Sequence, residues 1–197
     1  MLKKIGLLSL SAISVFAMHS FEINISDKDL GVYTKFDMGQ FIDTVRPEST
    51  MVGFSFFNAD EDHANGQNGR IHPFYEISFL RKRELGKRDI TLGLGIKANY
   101  TTHYSALPLG AELRYKLPVG DVVPVHLNAL AYYAPEVLSM IDAREYLEFG
   151  LSLDVEVIRD GFITFGYRRL ETNYEYQNYR RDAVYNESGY LGYKFTF

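Results

Sequence analysis

The chain contains a series of segments in which apolar and polar residues alternate. In 89–99, apolar side chains occupy every second position from Ile90 to Ala98, and 146–158 repeats the pattern from Leu147 to Val157. A period of two predicts β-strands, because successive side chains of a strand point to opposite faces. These segments are longer than the roughly 5–6 residues typical of soluble strands, and they match the roughly 9–11 residues of a tilted transmembrane strand.

Eight alternating segments can be counted backwards from the C-terminus. They span 51–58, 72–82, 89–99, 106–117, 122–133, 146–158, 161–169 and 187–197. Two further stretches, 21–25 and 30–36, alternate around a turn and predict an N-terminal hairpin. Because bacterial single-chain barrels have even strand numbers, we expect an all-β, transmembrane, antiparallel up-and-down β-barrel of ten strands. The alternative is an eight-stranded barrel with the hairpin lying across one end or inside.

The connections between the predicted strands alternate in length. Short turn signals occur at 118–121 and 159–161, and long polar segments occur at 59–70, 134–145 and 170–186. In barrels of this class the short turns are periplasmic and the long loops extracellular. Segment 38–48 is longer than a periplasmic turn should be.

The first residues have the organisation of a cleavable leader. Lys3 and Lys4 precede an apolar run that ends at Ala17 in a small-residue cleavage site, and the run is shorter than the roughly 20 residues of a spanning helix. We therefore predict a signal peptide at 1–17 and a barrel domain at 18–197, located in the cell outer membrane of a Gram-negative bacterium. Cleavage after Ser20 is the weaker alternative.

The amino-acid composition excludes several classes of protein and argues against others. The chain has 197 residues, no Cys and a formal net charge of −4. The absence of Cys excludes a disulfide scaffold, a zinc ribbon and a Cys-anchored lipoprotein, and the acidic balance argues against a nucleic-acid partner. No phosphate loop or dinucleotide motif is present, so no cofactor is expected.

The polar faces of the predicted strands carry charges of both signs. Because a barrel built from so short a chain has a narrow interior, these charges need partners and predict a salt-bridge network in the lumen. The predicted lumen residues are Glu76, Lys97, Glu112, Arg114, Glu148, Asp154, Glu156 and Arg168, and Lys116, His126 and Asn128 lie on the same faces.

The C-terminus carries a specific local signal. Leu191, Tyr193, Phe195 and Phe197 occupy alternate positions, and Phe is the last residue. The segment resembles the C-terminal recognition strand of outer-membrane proteins. This resemblance implies that the barrel assembly machinery reads these four residues.

Several short motifs resemble the YfaZ family of outer-membrane proteins. They are Leu109-Gly110-Ala111-Glu112, Ala134-Pro135-Glu136-Val137-Leu138-Ser139 after Tyr132-Tyr133, Gly166-Tyr167-Arg168 followed by Tyr174, and Gly189-Tyr190-Leu191-Gly192. The resemblance covers most of the mature chain and is weakest before residue 50. It implies an outer-membrane location, and it supplies neither an activity nor a catalytic residue.

One pair of residues suggests hydrolytic chemistry. His103 and Ser105 share a strand face, and a Ser activated by His is the nucleophile of acyl-transfer enzymes. A lipid A deacylase family carries a similar His-x-Ser pair, but an Asn follows the Ser there and Ala106 follows it here. Glu112 lies at an odd spacing from Ser105, on the opposite strand face. A chance pairing is the preferred interpretation.

Two other clusters are interpreted as exposed polar segments. The acidic, Gly-rich stretch 60–69 fails the ligand pattern of a calcium loop, so no metal site is predicted. Four arginines near the predicted outer rim are interleaved with tyrosines and balanced by acidic residues. Contact with lipopolysaccharide phosphates is the alternative for this group, which comprises Arg168, Arg169, Arg180 and Arg181.

The sequence thus favours a small outer-membrane barrel without catalytic activity, in a structural or surface-interaction role. The alternatives are a narrow channel for small solutes and, third, a lipid A-modifying hydrolase using His103 and Ser105. The expected partners are outer-membrane lipids, lipopolysaccharide and the barrel assembly machinery. We expect a monomer.

Overall fold

The structure is a computed structural model that describes residues 19–27, 29–59, 73–86, 89–101, 104–119, 123–141, 143–176 and 179–197. Within these ranges the chain forms twelve strands, together with short 3-10 helices at Met38–Gln40 and Glu136–Leu138. The strands are β1 (Ser20–Ser26), β2 (Asp29–Asp37), β3 (Thr50–Ala59), β4 (Phe74–Leu85), β5 (Ile90–Tyr100), β6 (Tyr104–Ala106), β7 (Leu109–Leu117), β8 (Val125–Ala134), β9 (Ser139–Ile141), β10 (Ala143–Ile158), β11 (Gly161–Tyr176) and β12 (Tyr179–Thr196). No helix in these ranges is long and apolar enough to cross a membrane.

Ten of the described strands form a closed antiparallel barrel in the order β1-β2-β3-β4-β5-β7-β8-β10-β11-β12. The seam between the last and first strands is fully paired, from Ser20 opposite Thr196 to Ser26 opposite Tyr190. The short strands β6 and β9 pair with each other beside β5. Ten strands and the N-terminal hairpin are therefore confirmed, and the eight-stranded alternative is excluded.

Side-chain exposure alternates along the wall as the sequence pattern predicts. In β4, Phe74 and Glu76 are buried while Tyr75 and Ile77 are exposed. Leu94 of β5 is 64% exposed, although a leucine normally avoids water. Because the outward positions are mostly Phe, Tyr, Leu and Ile, the outer face is an apolar belt of the kind that faces lipid in transmembrane barrels.

We call the end of the barrel at which β1 begins and β12 ends the terminal end, and the opposite end the hairpin end. The terminal end holds the start of β1, the end of β12 and the connections that follow β2, β4, β7 and β10. The hairpin end holds the connections that follow β1, β3, β5, β8 and β11. Strand β12 is the longest, with 18 residues, and β10 and β11 have 16 residues each. Strands β11 and β12 extend furthest at the hairpin end.

Segment 170–186, predicted to be a long loop, is strand in the structure. Pairing of β11 with β12 continues to Tyr176 opposite Tyr179, with a register shift between Leu170 and Glu171. The extra residue of this β-bulge is Tyr185 on β12, and β11 keeps its alternation, since Leu170 and Thr172 are both buried. The sequence does not show the continuation of β11 because its outward positions Arg169 and Glu171 are polar. Segment 134–145 likewise includes strand β9 and the start of β10.

The long connection after β2 is folded against the barrel end. The buried carboxylate of Asp37 accepts hydrogen bonds from the backbone N–H groups of Gly39, at 3.0 Å, and Glu48, at 2.7 Å. Phe41 stacks on His19 with 5.6 Å between the ring centres. The segment is longer than a simple turn because it packs beside the start of the first strand.

Candidate functional site in the barrel lumen

Lys97 of β5 lies at the centre of an ion-pair cluster in the lumen. Its Nζ is 2.8 Å from both carboxylate oxygens of Glu148 and 3.2 Å from Oε1 of Glu76. Tyr146 Oη also donates to Glu148, and Ser55 Oγ donates to Glu76. Because β7 and β8 separate β5 from β10 in the wall, the Lys97–Glu148 pair crosses the interior.

Tyr132 extends this cluster to a second ion pair. The centre of its ring lies 4.2 Å from Lys97 Nζ, which stands over the ring face. The Oη of Tyr132 donates to Oε1 of Glu112 over 3.1 Å. The other oxygen of Glu112 is 2.8 Å from Nζ of Lys35 on β2. A Cβ at Gly95 would stand 2.7 Å from Tyr132 Oη, so a glycine there allows the ring to approach the wall.

Arg168 of β11 forms a separate buried cluster. Its Nη2 donates to Oδ1 of Asp29 over 2.8 Å, and its Nε donates to Oδ1 of Asn186 over 3.3 Å. Asn186 and Ser188 of β12 both donate to the other oxygen of Asp29. The carboxylate is thus fully partnered, as a buried charge requires.

A third cluster lies in the half of the lumen nearer the terminal end. Nζ of Lys194 on β12 is 2.8 Å from Oδ2 of Asp154, and Oδ1 of Asp154 accepts a hydrogen bond from Thr164 Oγ1 over 2.9 Å. Arg114 faces the ring of Phe162 at 5.7 Å, and no ion pair is found for it among the described residues. Glu156 accepts a hydrogen bond from the backbone of Asp160 in the turn after β10.

Aromatic rings close the lumen towards the hairpin end. The ring centres of Phe57 and Phe74 are 4.5 Å apart, and Tyr185 lies 5.6 Å from the first and 5.9 Å from the second. These rings join a buried cluster to which β3, β4, β6, β8, β10 and β11 contribute. The guanidinium of Arg168 lies 4.8 Å from the centre of the Phe57 ring, so the aromatic rings pack against the Arg168 cluster.

Several buried polar atoms find no hydrogen-bond partner among the described residues. They are Asn24 Oδ1, Tyr33 Oη, both side-chain polar atoms of Asn99, His126 Nδ1, Thr172 Oγ1 and Asn173 Oδ1. A buried polar group without a partner costs about 1–3 kcal/mol, so such groups are typical of interiors that contain water.

The comparisons with known proteins show the family. A family model described as YfaZ precursor matches residues 2–197. The chain belongs to the YfaZ family. The comparison with curated proteins finds no match.

Two solved structures resemble this YfaZ barrel in outline. The KdgM porin is 10% identical, with a TM-score of 0.47, over 91% of this chain and 98% of that chain. The KdgM porin in complex with disordered oligogalacturonate has the same identity and the same coverage, with a TM-score of 0.48.

In the YfaZ barrel, the eight charged residues predicted for the lumen occupy inner-face positions. The structure brings Glu76, Lys97 and Glu148 together. The other ion pairs have one partner outside the predicted set: Glu112 pairs with Lys35, Asp154 with Lys194, and Arg168 with Asp29. Lys35 and Lys194 stand at inward positions of alternating strands, so the pattern that identified the others also contained them.

The hydrolase candidates are not brought together in the described part of the YfaZ chain. His103 lies outside the described residues. Ser105 stands opposite the outward Tyr100 and donates to the carbonyl oxygen of Asn99 over 3.0 Å. Glu112 is engaged with Lys35 and Tyr132 inside the lumen.

The remaining motifs have mixed outcomes. Segment 60–69 lies outside the described residues, and within the described ranges no three His, Cys, Asp or Glu side chains are grouped to hold a metal.

The interpretation of Arg168 as a rim cation is wrong, since its side chain is buried against Asp29. Arg169 does face outward and pairs with Glu171 at 2.9 Å. The side chains of Arg180 and Arg181 lie outside the described set.

The C-terminal stripe of the YfaZ barrel faces outward. Leu191 and Tyr193 are 54% and 44% exposed, and Phe195 and Phe197 are each 38% exposed. The backbone of Phe197 exchanges two hydrogen bonds with His19, each of 2.9 Å. The stripe therefore lies beside the seam that closes the barrel.

Proposed function

We propose that this YfaZ protein is a narrow channel for small solutes, which the lumen clusters and the aromatic rings hold constricted. The observation that carries the proposal is the polar lining of the lumen, with buried polar atoms such as those of Asn99 and His126 that need water as a partner. A barrel with only a structural role would gain stability from an apolar interior, because well-packed apolar residues often match or exceed buried ion pairs. The channel alternative therefore fits the lumen better than the structural role that the sequence favoured.

We further propose the cell outer membrane of a Gram-negative bacterium as the location. The apolar belt and membership of a family described as a precursor support this location. Outer-membrane lipids and lipopolysaccharide would then contact the belt, and the barrel assembly machinery would read the C-terminal stripe. We propose a monomer that has no catalytic activity, cofactor or nucleic-acid partner.

Constriction would arise at two levels of the lumen. Phe57, Phe74 and Tyr185 block the hairpin end with apolar rings, which resist wetting. Below them, Lys97–Glu148 and the Arg168 cluster reach across the interior. Solutes would pass when the rings separate and water replaces the ion-pair contacts.

Conductance in planar bilayers tests the proposal with two substitutions on one strand. We expect small, intermittent wild-type currents that rise several-fold in Phe74→Ala, which removes an inward ring. Phe79→Ala is the matched control, because Phe79 lies on the same strand and is 47% exposed on the outer face. Replacing Arg114, which faces the Phe162 ring and has no ion pair among the described residues, by a small neutral residue should also raise the current. Silence in the wild type and in all inward variants would favour the structural role.

A further inference from the structure

Two arginines of β4 interrupt the apolar belt on the outer face of the barrel. Arg81 and Arg83 are both exposed, and they follow the outward Phe79 at the next two positions of the same face. Arg81 stands directly opposite Leu94 of β5, which is itself an outward position of the belt. A charge on the lipid-facing side of a barrel is unfavourable, so each guanidinium needs a partner or has to reach the membrane surface.

Neither arginine has a negatively charged partner in the described part of the chain. Nη1 of Arg81 donates to Thr50 Oγ1 over 2.7 Å, and no ion pair is found for Arg81 or Arg83. Arg169, near the hairpin end, provides the contrast. It is also an outward arginine, yet its guanidinium pairs with Glu171 at 2.9 Å. The outer face of β4 therefore carries two positive charges that the protein leaves uncompensated.

The two arginines lie towards the terminal end of the barrel. Thr50 begins β3 at this end, so its hydrogen bond draws the guanidinium of Arg81 away from the middle of the belt. Long basic side chains near the ends of membrane-spanning segments extend in this way to the level of the lipid headgroups. The connections at the terminal end include the turn 159–160 between β10 and β11, and short turns are periplasmic in barrels of this class. The headgroups within reach are therefore those of the periplasmic leaflet.

We propose that Arg81 and Arg83 bind the phosphate of one anionic phospholipid of the periplasmic leaflet, with an acyl chain lying along Phe79. Neighbouring residues on one face of a strand are about 6.6 Å apart, so one phosphate can contact both guanidinium groups. Guanidinium groups bind phosphate through paired hydrogen bonds. Two uncompensated positive charges favour a headgroup with a net negative charge over a zwitterionic one, whose ammonium they repel. The inference rests on the membrane location proposed above, and it does not depend on conduction.

Native mass spectrometry of the whole mature barrel tests the site. The barrel in neutral detergent micelles is supplied with equal concentrations of phosphatidylglycerol and phosphatidylcholine that carry the same acyl chains, and bound lipids are counted after the detergent is removed. We expect one phosphatidylglycerol to be retained in roughly fivefold or greater excess over phosphatidylcholine. Equal retention of the two lipids would overturn the proposal.

Three substitutions assign the preference to these side chains. Arg81→Gln and Arg83→Gln should each lower the retained phosphatidylglycerol, and the double variant should lose the preference, because glutamine removes the charge from an exposed position. Arg169→Gln is the matched control and should keep the preference, since the charge of Arg169 is already paired. A preference that survives in both single variants and in the double variant, or that is lost in Arg169→Gln, would contradict the assignment. If the double variant does not fold, the two single variants decide.

Lipid A is the rival ligand, because it also carries phosphates and acyl chains. When lipid A and phosphatidylglycerol are supplied at equal concentrations, retention of lipid A in place of the phospholipid would overturn the assignment. Folding into lipid vesicles separates the site from the membrane location. A wild-type barrel that folds into vesicles but has no lipid preference refutes the site alone, whereas one that folds into no vesicle overturns the location as well.

Discussion

Arg168 and Asp29 form an ion pair of 2.8 Å that spans the closure seam of the barrel from inside. Arg168 belongs to β11 and Asp29 opens β2, so β12 and β1, which form the seam, lie between them in the wall. Asn186 and Ser188 of β12 bind the same carboxylate. The seam is thus held by its backbone hydrogen bonds and, independently, by side chains that cross it.

Removing the guanidinium should strongly destabilise the barrel. In Arg168→Leu, Asp29 keeps its charge in a buried site, and breaking such a pair costs about 3–5 kcal/mol. Arg168→Leu combined with Asp29→Asn should recover part of that loss, because no uncompensated charge remains. Unfolding in urea from detergent or lipid vesicles measures the free energies.

Arg169→Leu is the control for this pair. Its side chain is outward and 41% exposed, and exposed ion pairs contribute about 0–1 kcal/mol. Strictly additive effects of Arg168→Leu and Asp29→Asn would show that the two residues do not act on each other.

The apolar belt predicts a depth-dependent cost for charge on β5. Leu94→Arg places a charge on the outer face near the middle of the strand, where the cost should be about 2–4 kcal/mol. Ile90→Arg introduces the same charge on the same face at the strand end, where the cost should be about 0–1 kcal/mol. Folding into vesicles of both variants, compared with the wild type, measures the difference. Equal costs would mean that the belt does not face a bilayer.

Much of the fold follows from one property of the sequence, the alternation of side chains along strands. Because a strand exposes its side chains to two faces in turn, the positions of Lys97 and Leu94 in the alternation are enough to assign them to the lumen and to the belt. The even strand number then follows from barrel closure. The same rule missed the continuation of β11, because the outward positions Arg169 and Glu171 are polar and the alternation of apolar with polar residues ends there, although Leu170 and Thr172 remain on the inner face.

The partners in the lumen could not be predicted in the same way. Asp29 follows a turn signal and looks like part of the turn, yet it binds Arg168, 139 positions along the chain. Which inward residues meet across a barrel depends on strand tilt and stagger, and the alternation contains no information on either. The sequence did not predict that Tyr132 belongs to the lumen cluster. Its Oη reaches Glu112 because Gly95 and Gly110 have no side chain and leave room for the tyrosine ring.

Gly110 should be intolerant of even a methyl group. A Cβ at this position would overlap the carbonyl oxygen of Ala131 and the ring of Tyr132, so the hydrogen bond from Tyr132 to Glu112 would be displaced. Overpacking of this kind costs typically about 1–3 kcal/mol. Urea unfolding should show that loss in Gly110→Ala.

Gly189→Ala is the matched control for this substitution. The nearest atom to a Cβ at Gly189 is the carbonyl oxygen of Gly166 at 3.8 Å, an ordinary contact distance. We expect its stability to stay close to that of the wild type. A Gly110→Ala protein as stable as Gly189→Ala would mean that Tyr132 is not held tightly against the wall.

The C-terminal stripe predicts that assembly depends on the Phe197 side chain. Phe197→Glu keeps both backbone hydrogen bonds to His19 but places a charge on the outer face beside the seam, where Phe195 stacks on Phe197 at 6.0 Å. Assembly should therefore slow, leaving unfolded chain exposed to proteolysis in the periplasm. Thr196→Glu changes the adjacent residue, which faces inward and binds the carbonyl oxygen of Asp160, and should slow assembly less. Migration of unheated samples on detergent gels after pulse labelling measures the folded fraction. Because both residues are at the end of the chain, equal rates would remove the argument that the outward stripe is read during assembly.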